Sequence, residues 1–232
     1  MHVRDTLDLK AVSPLDVLGR YRGRFSAACT DPMRVGIRGL IPGVGEPMKR
    51  MAICLLAVLS WSEVRASGPL EIVFYDVHGT DQRGLRESMD SHGPVGVDGE
   101  RHHGYTRWHV GWAFELVSSP SRCRVRSVET TLKVTMTLPR WNRPDEVPED
   151  LEREWRRYSD ALRAHEEGHH EIAMSAADEV RRQLTGVSST SGCQVLAEDL
   201  DRRAKAVIET FNARELEYDA ATDHGSTQGA RF

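Results

Sequence analysis

Long apolar runs are missing from this sequence, neither sign of charge dominates, and cysteine is scarce. Each shortage narrows what the chain can be. No stretch of about 18 consecutive apolar residues occurs, so a membrane-spanning helix is not expected. The 31 Lys and Arg against 35 Asp and Glu leave a formal net charge of −4, which gives no basis for a nucleic-acid partner. Neither an internal repeat nor a low-complexity block is found, which excludes a solenoid or a fibrous array. What remains, 232 residues that are 39% hydrophobic and 28% charged, suits a soluble globular protein with one main domain.

The first informative stretch lies away from residue 1. Met48, Lys49 and Arg50 form a short basic region, Met51 to Trp61 an apolar core, and Val64-Arg65-Ala66 a small-residue cleavage site. These features predict a signal peptide over residues 48–66, removal after Ala66, and a periplasmic or secreted product without a stable membrane anchor. Residues 1–47, with scattered arginines, prolines and glycines and no sustained period, are expected to be a mis-assigned upstream extension or a disordered one. Of the 4 cysteines, Cys29 and Cys54 fall in the parts expected to be absent. Cys123 and Cys193 are then an even pair in an exported chain and are expected to form a disulfide.

The centre of residues 67–232 is the stretch Trp155 to Ala173, WRRYSDALRAHEEGHHEIA. Trp155, Tyr158, Leu162, His165, His169, Ile172, Ala176, Val180 and Leu184 recur at steps of three or four, which predicts a helix with a buried seam. His165 and His169 sit one turn apart inside that seam, in a His-Glu-x-x-His motif, so both imidazoles can reach one ion. Pro148 with Glu149, Asp150 and Glu152 marks the start, and Gly186 the end. One long rod and a rod broken near Ser159 both fit the pattern.

Before this helix, Leu70–Val77 reads as a strand and Thr80–Ser91 as a short helix capped by Thr80. The runs His102–Val117 and Arg122–Leu138 alternate as half-buried strands, the second with a bulge near Arg126 or Ser127. Cys193 opens a second long helix carrying Leu196, Leu200, Ala204, Val207 and Phe211 on one face. The expected fold is therefore α+β: an antiparallel β-meander followed by an antiparallel pair of long helices, the first bearing HExxH.

Such a motif suits zinc, with Glu166 as general base for a water that attacks a peptide carbonyl. The third ligand stays open at this level. A metzincin continuation is absent, because Ile172 and Ser175 stand where glycine and histidine are needed. Glu198, Glu209, Glu215 and Glu217 on the next helix are available, and so is the tail YDAATDHGSTQG from Tyr218 to Gly229.

The combination of GYTRWHVGW, WxxYxxALxxHExGHxxIA, the two bracketing cysteines and the terminal YDxxTxHGxxQG resembles the bacterial family of predicted secreted zinc-dependent proteases, also described as domain of unknown function 922. The resemblance covers residues 70 to 230. It implies an exported zinc peptidase acting on a peptide or protein substrate, with His165 and His169 as ligands, Glu166 as base and His224 as third ligand. Tyr218 or Asp219 would orient a ligand or stabilise the oxyanion. The alternative is a non-catalytic exported zinc-binding or envelope interaction module, which a fourth protein ligand such as Asp219 or Glu217 would favour. His102, His103 and His109 lack ligand spacing, and His170 points about 100 degrees away from His169. Gly168, costly in a helix interior, suggests close approach of another segment or of substrate, or is tolerated without purpose.

Overall fold

A computed structural model describes residues 2–8 and 70–232. The expected signal segment and most of the upstream stretch lie outside the described residues, as do Cys29 and Cys54. The element order is β1 (His2–Asp8), β2 (Leu70–Val77), α1 (Gln82–His92), β3 (Tyr105–Ser119), β4 (Arg122–Trp141), α2 (Glu149–Leu184), β5 (Ser188–Ser189), α3 (Cys193–Thr222) and a short 3-10 turn (Ser226–Gln228).

The α+β class is present, with strands followed by two long helices. The sheet is mixed rather than wholly antiparallel, in the order β1-β3-β4-β2. β3 and β4 form the expected antiparallel hairpin, and the register passes from Glu115↔Ser127 to Leu116↔Val125, which leaves Arg126 as the extra residue of a bulge. The free edge of β3 is taken by β1, which pairs antiparallel from His2↔Glu115 to Asp8↔His109. β2 instead runs parallel to β4, from Leu70↔Val134 to Val77↔Trp141. A parallel partner needs a long connection, which α1, the loop after it and β3 together supply. That helix is capped one residue later than expected, by Asp81, whose carboxylate accepts from the Gly84 amide at 2.8 Å.

α2 is a single unbroken rod of 36 residues, starting after Pro148 as read from the sequence. Its seam divides two apolar clusters. The first half, with Leu151, Trp155, Tyr158 and Leu162, packs with Val77, Leu85, Met89, Met136 and Leu138. The second half, with Ala173, Ala176, Ala177, Val180 and Leu184, packs with β3, β4 and the apolar face of α3. Between them lie the buried polar residues His165, Glu166 and His169. Buried polar groups at that position require partners, and α3 and the start of β3 provide them.

α3 returns antiparallel to α2, and the Cys123–Cys193 disulfide ties its first residue to β4 with a Cα–Cα distance of 5.1 Å. β5 adds two residues of pairing beside the same point. The bridge spans a sequence separation of 70, for which the chain-entropy model gives a stabilisation of roughly 4 kcal/mol. Replacing both cysteines by serine should lower the stability by about that amount, read from urea unfolding as a lower midpoint with a steeper slope, because the uncrosslinked denatured chain exposes more surface.

Candidate metal centre

His165, Glu166 and His169 occupy consecutive turns of α2 because the helical period returns residues i and i+4 to the same face. Both histidines are almost fully buried, 3% and 4% exposed, and their Nε2 atoms stand 3.3 Å apart. Asp219, in the last turn of α3, brings Oδ1 to 2.9 Å from His169 Nε2 and to 3.3 Å from His165 Nε2. Among the described residues these three side chains form the group that could hold a metal ion.

The other ring nitrogens are engaged. His169 donates through Nδ1 to Glu215 Oε2 at 2.9 Å, and His165 through Nδ1 to Gln228 Oε1 at 3.0 Å. With both Nδ1 protons so placed, two imidazole lone pairs and a carboxylate oxygen face one another, an arrangement that needs a positive charge in its midst. Donors bound tetrahedrally at about 2.0–2.1 Å stand about 3.3 Å apart, close to the three separations observed. The end of α3 adds the negative pole of a helix beside Asp219, which also favours a cation. Two imidazoles and one carboxylate form a donor set that zinc accepts.

In the metal-free protein a proton meets the same need. Burial pushes the His169 imidazolium down, but the hydrogen bonds to Asp219 and Glu215 outweigh it and raise the pKa to about 9. Burial likewise opposes ionisation of Asp219, yet the bonds from His165 and His169 hold its carboxyl well below the usual carboxylate range.

Glu166 is buried beside the donors. Its Oε2 accepts from Thr106 Oγ1 on β3 at 2.7 Å. Gly104 packs against the same carboxylate, for a Cβ there would come within 2.6 Å of Oε1. The HHG segment before it is anchored through His103, whose Nδ1 is 2.5 Å from Tyr158 Oη and whose Nε2 is 2.8 Å from Asp90 Oδ1. Gly168 is explained similarly: a Cβ would lie 2.2 Å from Tyr218 Oη, and the Tyr218 ring stacks on His165 at 5.0 Å and meets His169 edge-on.

His224 is not brought into the donor set. Asp223 and His224 both adopt left-handed backbone, the His224 side chain is 66% exposed, and its Nδ1 stays 3.9 Å from Asp219 Oδ1. The helix cap at the end of α3 turns the ring outward, toward His102 at 6.2 Å between centroids, and leaves the third position to Asp219. His170 is half-buried outside the group. Thr106, Gly104 and Gln228 carry no role in the sequence reading, since their parts depend on contacts across 60 or more residues. Glu215 and Asp219 were legible in principle, because they continue the Leu200, Ala204, Val207, Phe211 stripe at steps of four, where apolar residues belong.

A cavity of about 550 Å³ runs along the groove between α2 and α3, beside Gly168, Phe211, Arg214, Tyr218 and Gln228, but His165, His169 and Asp219 do not line it.

The architecture is thus an α+β sheet-and-helix-pair in which a His, His, carboxylate triangle is buried between two helices and the start of a strand. The chain belongs to the family described as "Bacterial protein of unknown function (DUF922)", whose model matches residues 72–225. No curated protein and no solved structure matches it.

If this group holds zinc, single alanine substitutions at His165, His169 and Asp219 should each abolish stoichiometric metal in purified protein and His224→Ala should keep it, as read by inductively coupled plasma mass spectrometry. Without metal, stability should depend on pH in a defined way. The folded pKa of His169 lies above its ordinary value, so its contribution is complete below about pH 6.5 and is lost as pH rises through about 9. Asp219 is depressed, so its contribution is present above the ordinary carboxylate range and is lost as pH falls toward its folded value. Thermal melts of chelator-treated protein should therefore decline on the alkaline side, and bound zinc should suppress that decline.

Proposed function

We propose that this protein is an exported zinc-dependent peptidase. The observation that carries the reading is the convergence of His165 Nε2, His169 Nε2 and Asp219 Oδ1 within 3.3 Å, with the Glu166 carboxylate buried on the next residue of the helix.

His165, His169 and Asp219 would hold the ion. Zinc, when bound, supplies a Lewis acid that polarises a carbonyl and brings the pKa of a water toward neutrality. Glu166 takes the proton of the attacking water and returns it to the leaving amine. Thr106 and Gly104 fix one side of that carboxylate, so its direction is set before substrate arrives. Tyr218, stacked on His165, and Glu215, bonded to His169, keep the two rings aligned.

Three protein donors among the described residues, rather than four, support catalysis over a closed structural site, which would have no use for a buried base. The basic, apolar and small-residue pattern at residues 48–66 supports a periplasmic or secreted location, and cleavage after Ala66 would leave the sheet without β1.

Glu166→Gln is nearly isosteric and leaves the donors untouched. It should retain one zinc per chain and lose peptide hydrolysis by about 10²–10⁴-fold, measured on a mixed peptide library with the unmodified protein alongside. Equal zinc and equal absence of cleavage in both proteins would instead support the exported zinc-binding module.

A further inference from the structure

The tail motif contains one residue, Gln228, that belongs neither to the donors nor to proton transfer, yet it touches a donor directly. After α3 the chain turns through Asp223, His224 and Gly225, all with positive φ, and runs back along the first half of α2. Gly225 crosses the His165 ring so closely that a Cβ would lie 3.0 Å from Cγ. One 3-10 turn later, Gln228 sets its amide between two side chains of the site. Its Nε2 donates to Tyr218 Oη at 3.1 Å, which leaves Oε1 as the acceptor facing His165 Nδ1 at 3.0 Å. Thr222 Oγ1, at 3.5 Å, is the more distant neighbour of the same nitrogen.

Beyond Gln228 the segment is fastened at two points. Arg157 donates through Nη1 to the Gly229 carbonyl at 2.8 Å and through Nη2 to the Arg231 carbonyl at 2.6 Å. The Phe232 ring meets Tyr158 edge-on at 5.1 Å and Trp155 at 5.9 Å. Arg157, Tyr158 and Trp155 lie about two to three turns before His165 on the same helix.

We propose that Gly225–Phe232 is a strap that makes His165 a ligand: Phe232 and Arg157 hold the segment in place, and Gln228 fixes the ring proton on Nδ1. This rests on the metal reading above. A neutral imidazole carries one proton, and an acceptor at Nδ1 directs the Nε2 lone pair toward Asp219 and His169. His169 has its own acceptor in buried Glu215, so the strap acts on His165 alone. Gln228 is exposed apart from this contact, and its replacement leaves both apolar clusters intact.

The test is a zinc titration of the full chain against a chromophoric chelator, for the unmodified protein, Gln228→Leu, Gln228→Glu and Phe232→Ala, with circular dichroism of each metal-free form. Gln228→Leu should weaken zinc about 10–100-fold, Gln228→Glu should bind at least as tightly as the unmodified protein, and Phe232→Ala should weaken it in the same direction. Long-range ¹H–¹⁵N spectra of the zinc-loaded protein should show a slowly exchanging His165 Nδ1 proton in the unmodified chain and a faster-exchanging one in Gln228→Leu. Unchanged affinity in Gln228→Leu, or in Phe232→Ala, would overturn the strap and leave the metal centre standing. An unmodified protein that binds no zinc would overturn the metal reading and the strap with it.

Discussion

Three electron-rich atoms held within 3.3 Å of one another require a positive charge among them, and most of the architecture serves to keep them there. Left to themselves, two imidazoles and a carboxylate would turn toward water. Here α2 and α3 are antiparallel, so the last turn of one faces the middle of the other and brings Asp219 to the two histidines. The carboxylate of Glu215, one turn earlier on α3, takes the outer nitrogen of His169 and gives the ring a single orientation. The charge requirement is met by a proton on His169 in the metal-free chain, and the same geometry suits a divalent ion.

The sheet contributes a different constraint. β3 starts beside α2 and delivers Gly104 and Thr106 to the far side of Glu166, where one offers space and the other a hydroxyl. That delivery depends on the HHG segment being held, and His103 does so by bridging Asp90 of α1 and Tyr158 of α2. The parallel seating of β2 beside β4 matters for the same reason. It places α1 against the first half of α2, so Asp90 can reach His103 at all.

Much of this was legible from the residues. The periods of α2 and α3, the alternation of β3 and β4 and the bulge at Arg126 follow from local pattern, and the Cys123–Cys193 pair from the cysteines left downstream of residue 66. Gly168 also announced a close neighbour. The parallel pairing of β2 and the strand at His2–Asp8 were not legible, since neither depends on a local period; each fills an edge that only the assembled sheet creates. The structure groups Asp219 rather than the expected His224 with the two histidines, for a geometric reason. His224 is the better ligand type, but a left-handed cap turns its ring outward, whereas Asp219 lies one helical turn beyond Glu215 and points inward. Helical phase was the more informative signal there than residue type.

The continuity of α2 has a consequence for how the centre is held. Its turns before the motif are locked into one apolar cluster and its turns after it into the other, so the histidine-bearing turns cannot fray without both clusters parting. That packing puts the amides of residues 165–169 among those expected to exchange only through global unfolding. Asp219 lies one turn from the end of α3, next to the cap, where the tail is held against α2 by Arg157 and Phe232. The centre is thus composed from two helices held in different ways, the histidines by apolar packing on both sides along α2 and the carboxylate by a helix end that the returning tail closes.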